Sequence, residues 1–143
     1  ASSYNQNVSF SGGSGATRAV TGTGVSSPTP VISVTPSSLD FGSVTVGLLA
    51  DLSFTVQNAG AGTLSGSASV WLPFSIVSGG TYSLTAGQSQ VVTVRFSPGA
   101  APSYSENVSF TGGAGATRAV TGNGVPSGGG SSGLPWLHLL LGQ

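Results

Sequence analysis

Few residues in this 143-residue chain could do covalent chemistry: one histidine, three carboxylates and no cysteine. A hydrolase needs an activated nucleophile within reach of a base and an orienting group. The only histidine, His138, lies in the Leu-rich end segment LPWLHLLLGQ. Nearby, Gly129-Gly130-Ser131-Ser132-Gly133 spells G-x-S-x-G. A nucleophile elbow needs a strand before its serine and a helix after it, and the surroundings here are Gly/Ser linker. Asp40, Asp51 and Glu106 are scattered along the chain, whereas calcium sites gather several oxygen ligands, often as closely spaced acids. These carboxylates therefore read as solvated surface charges. No catalytic residue, metal ligand or cofactor is expected, and the chain reads as a non-enzyme.

The binding motifs are equally sparse. GGSG and GGAG fail the phosphate-binding pattern G-x-G-x-x-G, because Arg18 and Arg118 stand where its third glycine belongs. Those two residues and Arg95 are the only basic side chains, balanced by the three acids, so nothing can neutralise a run of phosphates and no nucleic-acid partner is expected. A net charge near zero gives little repulsion between copies and favours association. The sequons Asn7-Val8-Ser9 and Asn107-Val108-Ser109 would admit a glycan at Asn7 or Asn107. Trp71, just before Leu72-Pro73, reads as core or rim, and Trp136 belongs with the end segment. Without lysine, Lys–Asn isopeptide cross-links are ruled out.

The elements that must carry these residues are β-strands. Gly, Ser, Thr and Val dominate while helix-favouring Lys, Met and Glu are nearly missing. Residues 1–25 and 101–125 are two copies of one segment, differing only at positions 2, 5, 6, 11, 14 and 23 of the first, so that 19 of 25 residues match at an offset of 100. A match of that length marks a duplication. Each copy has the pattern of a hairpin. Tyr104, Val108 and Phe110 alternate with Ser105, Asn107, Ser109 and Thr111, GGAG supplies the turn, and Ala116 to Val120 return. Tyr4, Val8 and Phe10 occupy the same places in the first copy.

Between the copies, period-two segments alternate with turn signals. Ile32 and Val34, Leu39 and Phe41, Leu52 with Phe54 and Val56, Phe74 and Ile76, and Val92 with Val94 and Phe96 mark strands. Residues 58–62, Gly79-Gly80, Ala86-Gly87 and Pro98-Gly99 separate them. Seven or more strands in about 95 residues fit an all-β, immunoglobulin-like antiparallel β-sandwich, here with an extra N-terminal hairpin and a C-terminal tail. The segments are a hairpin at 1–25, a linker at 26–30, the sandwich at 31–125, a Gly/Ser linker at 126–133 and an apolar tail at 134–143.

The ordered series Leu39, Phe41-Gly42, Val46-Gly47, Asn58, Gly60, Ala86-Gly87, Val94, Phe96, Pro98, Gly122 and Gly124 resembles the Hydin-type (ASH) immunoglobulin-like domains, in particular those of bacterial choice-of-anchor surface proteins. The resemblance covers roughly residues 30–125 and implies a secreted structural or adhesive module without specifying a ligand. Arg118 departs from it, an apolar residue being usual there. The departure suggests that the last strand lies at a sheet edge or that Arg118 faces a partner.

A start at Ala1 without Met fits a processed secretory protein and equally a proteolytic boundary. With the lysine-free, Ser/Thr/Gly-rich composition, it leads to an expectation of a secreted, extracellular or cell-surface protein of prokaryotic origin. The tail's apolar stretch is far shorter than the ~20 residues a membrane helix needs, so no membrane span is expected.

A lone two-stranded hairpin is marginal in water, so residues 1–25 need a sheet to join. The leading expectation is a structural subunit that polymerises with copies of itself, head to tail, by β-strand donation or augmentation. The alternative is a non-polymerising stalk or adhesin module of a longer tandem-repeat surface protein. The residues expected at the assembly contact are Tyr4, Val8, Phe10 and Val20 from the hairpin, and Trp136, Leu137, Leu139 and Leu141, which alternate in the tail.

Overall fold

A computed structural model describes residues 1–128. The tail positions Trp136, Leu137, Leu139 and Leu141, together with His138 and the G-x-S-x-G string, lie outside the described residues. Eleven strands and no helix are present among those described, and none of their segments is a helix long and apolar enough to cross a membrane.

The strands are β1 (Ser2–Phe10), β2 (Ala16–Gly24), β3 (Ile32–Thr35), β4 (Ser38–Thr45), β5 (Ala50–Asn58), β6 (Leu64–Ser69), β7 (Phe74–Ser78), β8 (Thr81–Leu84), β9 (Ser89–Phe96), β10 (Ser103–Phe110) and β11 (Ala116–Val125). Strands β3–β11 form an immunoglobulin-like sandwich. One sheet has the order β4-β11-β10-β6-β8, the other β3-β5-β9-β7. The ladders are antiparallel except β11 with β4, which run parallel. The period-two pattern could not show this, because alternation fixes which face is buried and says nothing about strand direction.

The inward positions of both sheets interlock. Phe54, Val56, Val92, Val94 and Phe96 of the four-stranded sheet meet Leu64, Val108, Phe110 and Val120 of the five-stranded one, all nearly or fully excluded from water. Phe54 meets Phe110 edge-on at 5.5 Å, and Phe96 lies between Phe74, Phe41 and Tyr104 at 4.8, 5.7 and 5.7 Å. Tilted and offset contacts of this kind add about 0.5–1.5 kcal/mol each beyond the area buried. Leu52 keeps the inward phase of β5 but stays partly exposed. Trp71, expected in the core or at its rim, is instead 79% exposed in the loop between β6 and β7.

Two local devices set the position of the last hairpin. At Gly42, whose φ is 60°, β4 bulges. Thr121 pairs with Asp40 and Asn123 with Ser43, and the Asp40 carboxylate accepts the Gly42 N–H at 2.9 Å. A positive φ at a bulge suits glycine. On the opposite flank, the Thr111 hydroxyl accepts the Ser67 N–H at 2.8 Å and the Tyr82 hydroxyl donates to the Thr111 carbonyl. Burial raises the Tyr82 phenol above its ordinary pKa.

Asn58 is the one buried polar side chain among the described residues. Its Oδ1 accepts from the N–H of Val31 (3.3 Å) and Gly60 (3.1 Å), and its Nδ2 donates to the carbonyls of Gly62 (2.9 Å) and Leu84 (3.0 Å). The loop after β5 is thereby tied to β8 and to the entry of β3.

Candidate assembly surface

Within the first hairpin, β1 and β2 pair antiparallel in the register Tyr4↔Gly22, Gln6↔Val20, Val8↔Arg18, Phe10↔Ala16. Directly opposed residues share a face, so Tyr4, Val8, Phe10 and Val20 come together on one side of the ribbon. The register of the last hairpin is the same at an offset of 100: Tyr104↔Gly122, Glu106↔Val120, Val108↔Arg118, Phe110↔Ala116. The environments differ completely. Val108, Phe110 and Val120 are 0%, 2% and 0% exposed, while Val8, Phe10 and Val20 are 42%, 57% and 53% exposed. Every residue from 1 to 29 is exposed, and β1 and β2 make a sheet of their own.

The last hairpin is not an edge addition. Strand β11 pairs with β4 on one side and β10 with β6 on the other, so the hairpin fills the centre of the five-stranded sheet. Arg118 was expected at an edge or facing a partner. Its strand is interior, and its guanidinium donates from Nε to the Val34 carbonyl of the opposite sheet at 3.0 Å and to the Thr117 carbonyl at 2.9 Å. The side chain bridges the open margin of the sandwich, where an apolar residue would leave that carbonyl without this partner.

Sequence reasoning placed Gly122 and Gly124 in the family resemblance but missed why the fold needs them. A Cβ on Gly122 would stand 2.5 Å from the Phe96 ring, and one on Gly124 would strike the Ala100 carbonyl and the Pro98 side chain. Neither has a positive φ, so packing alone requires them. Their counterparts Gly22 and Gly24 have no such constraint: nothing lies within 4 Å of a Cβ on Gly22, and one on Gly24 would make only ordinary contact with Tyr4 and Ser2. The signal was present in the sequence as glycine inside a strand, which weakens a strand and marks close approach of another group.

The remaining polar groups stand apart. Asp51 and Arg95 form a two-pronged ion pair, with N–O distances of 2.8 Å, on an exposed part of β5 and β9. The hydrogen bond from Arg95 holds the Asp51 carboxyl below its usual range, desolvation opposing it and the Arg95 charge adding to it. Asp40 is engaged by Gly42 and by the Thr121 hydroxyl at 3.3 Å. It lines an open groove of about 420 Å³ with Ser43, Ser103, Tyr104 and Asn123. That groove offers hydrogen bonds, but no second acid, no base and no activated nucleophile lines it. Asn7 and Asn107 are exposed on the polar faces of β1 and β10, and Asn107 borders a smaller groove beside Trp71.

The fold has known counterparts. The ASH/PapD-like domain 7 of human CEP192 superposes with a TM-score of 0.60 at 13% identity, covering 72% of this chain and 91% of that one. A protein of unknown function from Porphyromonas gingivalis superposes at 0.58 and 17% identity, covering 85% of this chain and 66% of that one, just under two thirds of its length. At these identities the likeness is one of fold. No curated protein matches the chain in sequence. The family model described as HYDIN/CFA65/VesB-like, Ig-like domain matches residues 30–121, from the entry of β3 to Thr121 in β11. That is well over half of the sequence, and the chain belongs to this family of immunoglobulin-like domains.

Proposed function

We propose that the chain is a non-enzymatic structural module of a bacterial extracellular or cell-surface assembly, joined to its neighbour through residues 1–25. One observation carries this reading. The apolar face that forms core in residues 101–125 is exposed in residues 1–25 with the same register. Because Tyr4, Val8, Phe10 and Val20 are already about half covered, at 65%, 42%, 57% and 53% exposed, completing their burial is worth on the order of 4 kcal/mol, enough to hold a marginal hairpin in place once a sheet receives it. Joined head to tail between copies, the contact is heterologous and non-closing, which builds a filament.

A second reading is favoured by a separate observation. The chain's own sandwich is already closed by β10 and β11 at the centre of its sheet. A stalk or adhesin module within a longer tandem chain would need no exchange of that hairpin. Negative-stain imaging of native material, combined with the intact mass of the denatured chain, separates the two. Filaments that dissociate into 143-residue chains support polymerisation. A much heavier covalent chain supports the tandem stalk, and monodisperse monomers with a mobile first hairpin contradict both.

A further inference from the structure

We infer that residues 1–25 are the closing hairpin of another sandwich body of this same kind, one that lacks a closing hairpin of its own, and that they enter it between its counterparts of β4 and β6. The inference rests on the reading of residues 1–25 as a joining element and names what they join.

The shape of the hairpin identifies the recipient. Gly22 and Gly24 weaken β2 and answer to nothing within their own hairpin. Among the described residues, the surface that requires glycine at the two matching places is the wall formed by Phe96, Pro98 and Ala100 against Gly122 and Gly124. Arg18 likewise stands where Arg118 reaches across to a β3 carbonyl. The hairpin therefore carries the negative imprint of a body like residues 30–100, including contacts that a flat sheet edge does not possess.

Occupancy narrows the choice further. In residues 101–125 both outer edges of the hairpin are paired, one with β4 and one with β6. Addition to the free edge of β8 or β4 would satisfy one edge and leave the apolar face uncovered. A second copy of this chain is a poor recipient, because its slot is filled by a tethered hairpin whose effective concentration is on the order of millimolar. A nearly identical hairpin arriving at micromolar concentration competes at about a thousandfold disadvantage. A vacant body avoids this competition. The offset of 100 residues between the hairpins places such a body one period ahead, related to residues 1–25 as residues 26–100 are related to 101–125.

The test fuses a second copy of residues 26–100 ahead of Ala1, giving the full chain a vacant body. Ser109 and Ser69 are direct partners across β10 and β6, at a spacing that permits a disulfide, and the chain has no native cysteine to interfere. Ser9→Cys is combined with Ser69→Cys in the added body. The expected result is an intramolecular disulfide formed as completely as the one between Ser109→Cys and Ser69→Cys in the original body. The added body should also resist proteolysis, and lose that resistance at least tenfold when Val8→Asp and Phe10→Asp are introduced. No disulfide for the first pair while the second pair forms overturns the inference. So does preferential linkage of Ser9→Cys to Ser83→Cys on the edge strand β8, or an added body digested equally with and without the aspartates. The joining reading fails on a different result, namely native material that assembles unchanged with Val8→Asp and Phe10→Asp.

Discussion

Asn58 shows how much one side chain can hold in a sandwich of this size. Its four side-chain hydrogen bonds tie together three segments, and it is the one buried polar side chain among the described residues. Asn58→Ala leaves buried N–H and C=O groups unpaired, at a cost of about 3 kcal/mol, read as a lower urea midpoint with an unchanged slope. The glycine pair provides a sharper contrast. Gly122→Ala must displace the Phe96 ring, at a cost of about 1–3 kcal/mol, whereas Gly22→Ala in the chain as described meets open space and changes stability by less than about 0.5 kcal/mol. The Asp51–Arg95 pair acts weakly because it is exposed. Its sign is nonetheless fixed. The folded carboxyl holds its proton less tightly than the unfolded one, so its contribution is present above the unfolded value of about 4 and is lost as pH falls through the lowered one. The small difference in Tm between wild type and Asp51→Asn should therefore be seen at neutral pH and shrink towards zero in acid. Asn58 was legible in the sequence as turn punctuation and as part of the family resemblance, but not as a buried anchor, since such a segment suits an exposed loop equally well.

At the scale of elements, the same hairpin occurs in two states of burial, and substitutions should have unequal effects on them. Val108→Asp places a charge at a fully excluded position between the sheets, at a cost above about 4 kcal/mol, and should unfold the sandwich in thermal scans. Val8→Asp at the matching exposed position should leave Tm unchanged within error while abolishing any hairpin-mediated assembly. The duplication, the turn and the inward face of each hairpin could be read from alternation and repetition, as could the strands around Phe54, Phe74 and Val94. Strands β6 and β8 could not. LSGSAS has only Leu64 and two small positions to alternate, and TYSL, though Tyr82 and Leu84 alternate, is only four residues long; they are strands because β6 pairs with both β10 and β8. Nor could the sequence show that β10 and β11 lie mid-sheet, since the pairing of β11 with β4 spans about 80 residues and has no local signature.

For the whole molecule, the count of bodies and hairpins governs the account. One sandwich and two equivalent hairpins cannot form a closed unit, so either the first hairpin stays exposed or a second sandwich is present. A vacant body as that second sandwich would join successive units along the chain, because the hairpin precedes residues 26–30 and its own body follows them. The most direct measurement is residue-resolved hydrogen exchange on native material in its assembled state, compared with the isolated chain. The account predicts that amides of Val8, Phe10 and Val20 are protected in the native material to within about tenfold of Val108, Phe110 and Val120, and exchange within seconds in the isolated chain. Amides of β1 and β2 that remain as labile in the native material as in the isolated chain would contradict it.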